Sequence, residues 1–270
     1  MSKKALCGGI NDYPYEGNDL NGCVNDAHAW ADLLINHYDF PQSNVNLLID
    51  AQATKAAILA GLQTLLTGVI AGDVLVFTNS SHGTYIADTS GDEEYDEALC
   101  PYDCADNLLV DDELRELFAN LTDGVHLTVI SDSCFSGTVT RAAVSENSPG
   151  HKTPDNRRVR FLNPKLLHAQ PLNDPRKAKS KRLSKYPESG MKEILLSGCT
   201  DKEYSYNALI GGNYHGAMTY FALQAIQVAG YKITLQQLCE GVNLMLDEAG
   251  YSQHPQLEGN AVNKVQLIFS

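Results

Sequence analysis

A chain of 270 residues with 43% hydrophobic side chains can bury one sheet on both faces, and its composition excludes the disordered and fibrous classes. Its formal net charge of −13 does not point to nucleic acid as the expected partner. No apolar run reaches membrane-spanning length, and the start Met1-Ser2-Lys3-Lys4 lacks a signal-peptide pattern, so a cytoplasmic protein without a membrane partner is expected. Residues 5–10 read as a strand, Asn21 can cap a helix running to about Tyr38, residues 45–49 form a second strand, and Thr54 caps an Ala/Leu-rich helix. A strand over 74–78 follows. After an acidic loop, Asp111-Asp112-Glu113 places carboxylates in the first turn of a helix, where the macrodipole favours them. A strand over 125–131 comes next, then a strand over 193–197, a helix over 216–228, a helix capped by Thr234, and a terminal strand over 265–269. This alternation predicts an α/β fold, a mostly parallel central sheet of about six strands with helices on both faces.

Charge is uneven along the chain. Between Arg141 and Gly190 there are twelve Lys or Arg against four Asp or Glu, +8, which leaves −21 for the remainder. This basic, proline-rich stretch lacks apolar periodicity and reads as an exposed flexible linker within a single domain. Three roles compete for it: a solvated connector, a patch for nucleic acid or anionic membrane, or a string of cleavage sites for a protease preferring basic residues. The seven cysteines have no framework spacing, so free thiols are expected. Cys100 and Cys104 have metal-like spacing, but no matching second pair lies near them.

Two apolar runs end in reactive side chains. The run Val129-Ile130-Ser131-Asp132-Ser133-Cys134-Phe135-Ser136-Gly137 delivers a thiol to a strand end, and Val74 through Ser80-Ser81-His82-Gly83 delivers an imidazole in the same way. Ligands of open α/β sheets bind outside the carboxyl ends of the strands, so Cys134 as nucleophile and His82 as base would meet there. Asp132 lies two residues before Cys134 and shares its strand face, and Asp26 opens toward the same edge if its helix follows the first strand. Carboxylates beside a nucleophile favour an Arg or Lys side chain.

His-Gly at one strand end and Asp-Ser-Cys-x-Ser-Gly at the next resemble the caspase clan, in its metacaspase or orthocaspase form. Three further segments extend the resemblance: Gly8-Gly9-Ile10-Asn11 with Leu20-Asn21-Gly22-Cys23-Val24-Asn25-Asp26-Ala27, the acidic loop from Gly91 to Asp103, and Leu196-Ser197-Gly198-Cys199 with Gly216-Ala217-Met218-Thr219-Tyr220. The resemblance implies a caspase-like fold over 1–270, with a large-subunit-like region 1–140, the linker 141–190 and a small-subunit-like region 191–270. It further implies a cysteine endopeptidase acting on proteins or peptides with basic residues. Gly83 and Cys134 N–H groups would form the oxyanion site, and Cys23, Asp26, Ser80 and Asp132 would line the pocket for the side chain before the scissile bond. No cofactor is required for the chemistry. Calcium is the one ion the resemblance suggests, with Asp96, Asp111 and Asp112 as its ligands, although Arg141 stands where the family has a further aspartate and Phe135 where many members have a histidine. An Arg/Lys-specific peptidase tethered to its own basic linker should cut itself, with the sites near Arg158 and Arg182 leading. The alternatives are a catalytically silent scaffold and an acyl-transfer or ligase enzyme on the same fold.

Overall fold

The computed structural model describes residues 1–87, 95–134, 157–167, 188–200 and 203–270. Strands β1 (Lys3–Gly9), β2 (Val45–Ile49), β3 (Val74–Ser80), β7 (His126–Asp132), β9 (Glu193–Ser197) and β12 (Gln256–Glu258) form a six-stranded sheet in the order β12-β9-β7-β3-β1-β2. Every neighbouring pair is parallel except β9 with β12. Two small antiparallel sheets sit beside it. One joins β4 (Gly83–Ala87), β5 (Tyr95–Leu99) and β6 (Leu109–Val110); the other joins β8 (Arg158–Val159), β10 (Tyr206–Ile210) and β11 (Asn213–Gly216). The helices are α1 (Cys23–His37), α2 (Lys55–Leu66), α3 (Asp111–Ala119), α4 (Ala217–Val228), α5 (Leu235–Glu248) and the short α6 (Ala261–Lys264).

A parallel strand covered by helices on both faces needs a continuous apolar run, and all seven residues of β3 are buried. Alternate side chains then feed two cores. Leu75 and Phe77 pack in one with Ile58, Leu62 and Leu65 of α2. Val74 and Val76 pack in the other with Trp30 and Leu34 of α1, Met218 of α4 and Leu238 and Val242 of α5. Thr54 caps α2 by accepting from Ala57 N–H, and Thr234 caps α5 by accepting from Gln237 N–H, as the sequence predicts. Glu113 closes the start of α3 by accepting from Val110 N–H.

Three expectations are corrected. Asn21 does not cap α1: the N-cap is Gly22, and the first turn is satisfied from across the loop by Asn11 Oδ1, which accepts from Cys23 N–H at 2.8 Å. Residues 265–269 do not form a strand. The antiparallel β12 already occupies the free edge of β9, and after α6 the chain end instead buries Ile268 and Phe269, with Phe269 edge-on to Tyr38 at 5.0 Å between ring centroids. Finally, residues 158–162 of the basic stretch are not an exposed connector, because Val159, Arg160 and Leu162 are all buried.

Candidate active site

Adjacent parallel strands set the geometry. β3 and β7 pair in a register that ends with Ser80 opposite Asp132, so both chains leave the sheet at one height, and His82 and Cys134 each follow two residues later. Gly83 crosses directly over Cys134. A Cβ on Gly83 would lie 2.2 Å from the Cys134 carbonyl oxygen, so only glycine permits this approach.

His82 is buried and held on several sides. Its ring Nε2 lies 2.7 Å from the Asn18 carbonyl, which fixes a proton on Nε2 and leaves Nδ1 as the basic lone pair. Nδ1 is buried and has no hydrogen-bond partner among the described residues. The backbone N–H of His82 donates to the Tyr13 hydroxyl, its carbonyl accepts from Cys100 N–H, and the Tyr13 ring packs at 5.1 Å between centroids. Burial, aided by the Arg158 and Arg160 charges, pulls the imidazole pKa down to about 4, so the ring is neutral at physiological pH. The Cys134 thiol is buried and donates to the Glu203 carbonyl at 3.2 Å, and Cys199 donates to the same oxygen at 3.5 Å.

The cleft is filled by the protein's own segment 158–162. β8 pairs antiparallel with β10, Arg160 N–H donates to the Ser205 carbonyl at 2.9 Å, and Leu162 N–H donates to the Gly83 carbonyl at 2.9 Å. The Arg160 carbonyl oxygen accepts from Gly83 N–H at 3.0 Å and from Cys134 N–H at 3.3 Å. These are the two donors expected of an oxyanion site. The Arg160 side chain, 0% exposed, runs into a pocket built for a cation. Nη2 lies 2.6 Å from Asp26 Oδ2, and Nη1 donates to Ser80 Oγ and to the Asp132 carbonyl at 2.7 Å while lying 3.4 Å from Asp132 Oδ2.

The carboxylates are themselves anchored. Ser80 Oγ donates to Asp26 Oδ2 at 2.6 Å, as does Gly216 N–H at 3.0 Å, and Asp132 accepts from Ser205 Oγ at 2.5 Å and from Thr219 N–H and Oγ1 at 3.0 and 2.8 Å. A Cβ on Gly216 would lie 2.1 Å from Asp132 Oδ2 and 2.7 Å from the guanidinium, so this glycine keeps the pocket open. Burial alone would raise the Asp26 carboxyl; the Arg160 charge beside it, with His215 and Ser80, more than reverses this and holds it below the ordinary carboxylate range. Cys23 opens α1 at the same place, a buried thiol whose pKa burial raises against the Arg160 charge.

The structure thus gathers His82, Gly83, Cys134, Cys23, Asp26, Ser80 and Asp132 around one peptide segment. Arg158 lies at the rim, where it donates to the Gly17 carbonyl. Arg182, Arg141 and Phe135 lie outside the described residues. Sequence reasoning missed the roles of Asn18, Tyr13, Ser205, Thr219 and Arg160; Thr219 lies in the 216–220 segment of the resemblance, and Arg160 leaves a signal in the apolar and basic alternation Arg158-Val159-Arg160-Phe161-Leu162 within a polar stretch.

The residues expected at calcium lie apart from this cleft, on the β4-β5-β6 side. Asp96 is on β5, and Asp111 and Asp112 open α3. Burial pushes the Asp111 carboxyl up to about 6, with Arg115 Nε 3.8 Å away as its cation. Among the described residues no group of three acidic, histidine or cysteine side chains is arranged to hold a metal ion, so they do not by themselves fit Ca²⁺, which takes six to eight oxygens. Cys100 and Cys104 are buried in the core that includes α2.

Comparisons with known proteins agree with this architecture. A family model described as "Metacaspase, peptidase C14 domain" matches residues 3–143. Metacaspase-1A of Aspergillus oryzae is 31% identical over 95% of this chain and 67% of its own length. Metacaspase-8 of Arabidopsis thaliana is 37% identical over 57% of this chain, and the match spans 42% of that relative. For Metacaspase-4 of the same plant the match spans 34% of the relative's length, at 39% identity over 51% of this chain. A crystal structure of a Geobacter sulfurreducens protein superposes with a TM-score of 0.75 at 24% identity, covering 100% of this chain and 99% of that one, and shares its fold. With its parallel sheet, its strand-end thiol and imidazole, and these matches, the chain has a caspase-like fold and belongs to the metacaspase family.

Proposed function

We propose that the chain is a cysteine endopeptidase that cuts after arginine or lysine through the Cys134/His82 dyad, and that its first substrate is its own Arg160–Phe161 bond. One observation carries the reading: a single residue has its carbonyl oxygen between the Gly83 and Cys134 N–H groups while its guanidinium lies between two buried carboxylates. This is how a substrate must sit for attack on that carbonyl carbon.

In the proposed reaction Cys134 gives up its hydrogen bond to Glu203, loses its proton to His82 Nδ1 and attacks the Arg160 carbonyl carbon. Charge developing on the carbonyl oxygen is met by the two N–H groups. His82 then protonates the Phe161 nitrogen as the C–N bond breaks, and water hydrolyses the thioester to return the thiol and a free Arg160 carboxylate. The Asn18 carbonyl orients the imidazole throughout. Arg and Lys are favoured because any uncharged occupant would leave Asp26 and Asp132 buried without a cation, and an acidic one would add a like charge.

No chemical step of this proposal passes through a metal ion, and calcium on the Asp96, Asp111 and Asp112 side would need oxygen ligands beyond those three carboxylates. Protein and peptide substrates with basic residues are the proposed partners, rather than nucleic acid or membrane. We propose a reducing, cytoplasmic setting, supported by seven cysteines that all stand as thiols. No helix among the described residues is long and apolar enough to cross a membrane.

Intact-mass and N-terminal analysis of purified wild-type and Cys134→Ala protein, incubated with and without calcium, tests the reading. The expected result is a new N-terminus at Phe161 in wild type alone, together with hydrolysis of Arg and Lys peptides but not Asp peptides. A wild-type chain still whole while it hydrolyses an Arg peptide would eliminate self-processing, and full activity in Cys134→Ala would eliminate the nucleophile.

A further inference from the structure

The residue after the proposed scissile bond is held as specifically as the one before it. Phe161 lies against the Tyr85 ring, with centroids 5.9 Å apart and planes 21° from parallel, and against Tyr204 at 6.3 Å and 55°. Tyr85 is buried, at 8% exposure. The Tyr204 hydroxyl is buried with no hydrogen-bond partner among the described residues, and burial raises its pKa to about 12. The backbone carries the register onward. Gly83 and Phe161 form a parallel bridge, Leu162 N–H donates to Gly83, and the Leu162 carbonyl accepts from Thr84 Oγ1 at 2.8 Å. The Leu162 side chain, 1% exposed, is then delivered into the core beside Leu99 and Phe77.

We propose that Tyr85 and Tyr204 form a subsite that selects an aromatic residue immediately after the cleaved bond, followed by an apolar residue at the Leu162 position. The substrate class is an extended peptide of the type Arg-aromatic-aliphatic. This deepens the peptidase reading above and rests on it. Two rings facing a third add offset and edge contacts to simple area burial. A side chain without a ring leaves both tyrosines exposed to water, and an acidic one is carried into a partly desolvated setting.

The test uses full-length protein after it has been incubated, with internally quenched peptides that contain Val-Arg-Phe-Leu, Val-Arg-Gly-Leu or Val-Arg-Asp-Leu. The Phe peptide is expected to exceed the Gly peptide in kcat/KM by about 10- to 100-fold, with the Asp peptide lower still. In Tyr204→Ala the Phe-to-Gly ratio should collapse to within about 3-fold. Because the ratio is internal, it is independent of the fraction of the variant that folds; Tyr85→Leu supplies a second reading. Equal turnover of the three peptides, or a preference for Gly or Asp, overturns the subsite while leaving Arg specificity intact. Failure to cut any Arg peptide overturns the peptidase reading, and this proposal with it.

Discussion

Two pockets meet at the Arg160–Phe161 bond, and they hold their occupants by different physics. On the Arg160 side everything is desolvated: Asp26 and Asp132 are 0% and 1% exposed, and their lone pairs are taken up by Ser80, Ser205, Gly216 and Thr219. On the Phe161 side the contacts are ring on ring at 5.9 and 6.3 Å. A buried carboxylate pair tolerates no neutral substitute, whereas an aromatic shelf grades its ligands by area. The first pocket should decide whether cleavage occurs, and the second how fast.

The sharpest way to break this contrast is to neutralise one carboxylate. Asp132→Asn leaves the shape but removes half the pocket's charge, and breaking a buried charge pair costs about 3–5 kcal/mol. Turnover of Arg peptides, measured as kcat/KM, should fall by roughly 10²- to 10⁴-fold. A loss below about 10-fold would mean that charge does not dominate this side.

His82 gives a second, intermediate effect, because it is buried as a neutral imidazole. The folded imidazole stays unprotonated until about pH 4, while an unfolded one takes its proton near 6.5. Stability from this group is therefore fully present above about 6.5 and is lost as the pH falls through about 4. Urea unfolding of Cys134→Ala, which cannot cut itself, should show this loss between pH 7 and pH 4, and Cys134→Ala/His82→Gln should show less of it. Parallel stability curves for the two proteins would count against a buried, neutral His82.

The smallest effect concerns the backbone beyond the bond. Thr84→Val removes the hydroxyl that donates to the Leu162 carbonyl. A lost neutral hydrogen bond is worth about 1 kcal/mol, so self-cutting followed by gel or mass should slow only a few-fold. A slowing beyond about 100-fold would show that the segment after the bond holds the complex together more strongly than the arginine does.

The legible parts of the sequence were those governed by local rules. Unbroken apolar runs identified β3 and β7, and their polar ends identified His82 and Cys134, because a parallel strand buried on both faces has no other place to put a reactive side chain. Asp26, Ser80 and Asp132 came from resemblance to a family motif, supported by period-two spacing for Asp132. What escaped depends on pairings across long stretches of chain. Asn18 acts on His82 through a carbonyl oxygen, which any residue type supplies. Arg160 escapes a sequence reading because its surroundings are basic, proline-rich and aperiodic. It is buried only because two carboxylates distant in sequence, Asp26 of α1 and Asp132 of β7, are waiting for it. The terminal residues show the reverse error: an apolar run that reads as a strand became a plug of Ile268 and Phe269, since β12 had taken the sheet edge.

The walls of the arginine pocket come from both sides of the bond that the pocket would present for cleavage. Asp26, Ser80 and Asp132 precede Arg160; Ser205, Gly216 and Thr219 follow it. If the proposed cut occurs, the protein becomes a two-chain complex whose arginine pocket belongs to neither chain alone. Its seam is the parallel ladder between β7 and β9 inside the main sheet, so the chains cannot part without opening the core. Folding that was unimolecular becomes an association, and the durability of the mature site acquires a dependence on protein concentration that the uncut chain does not have.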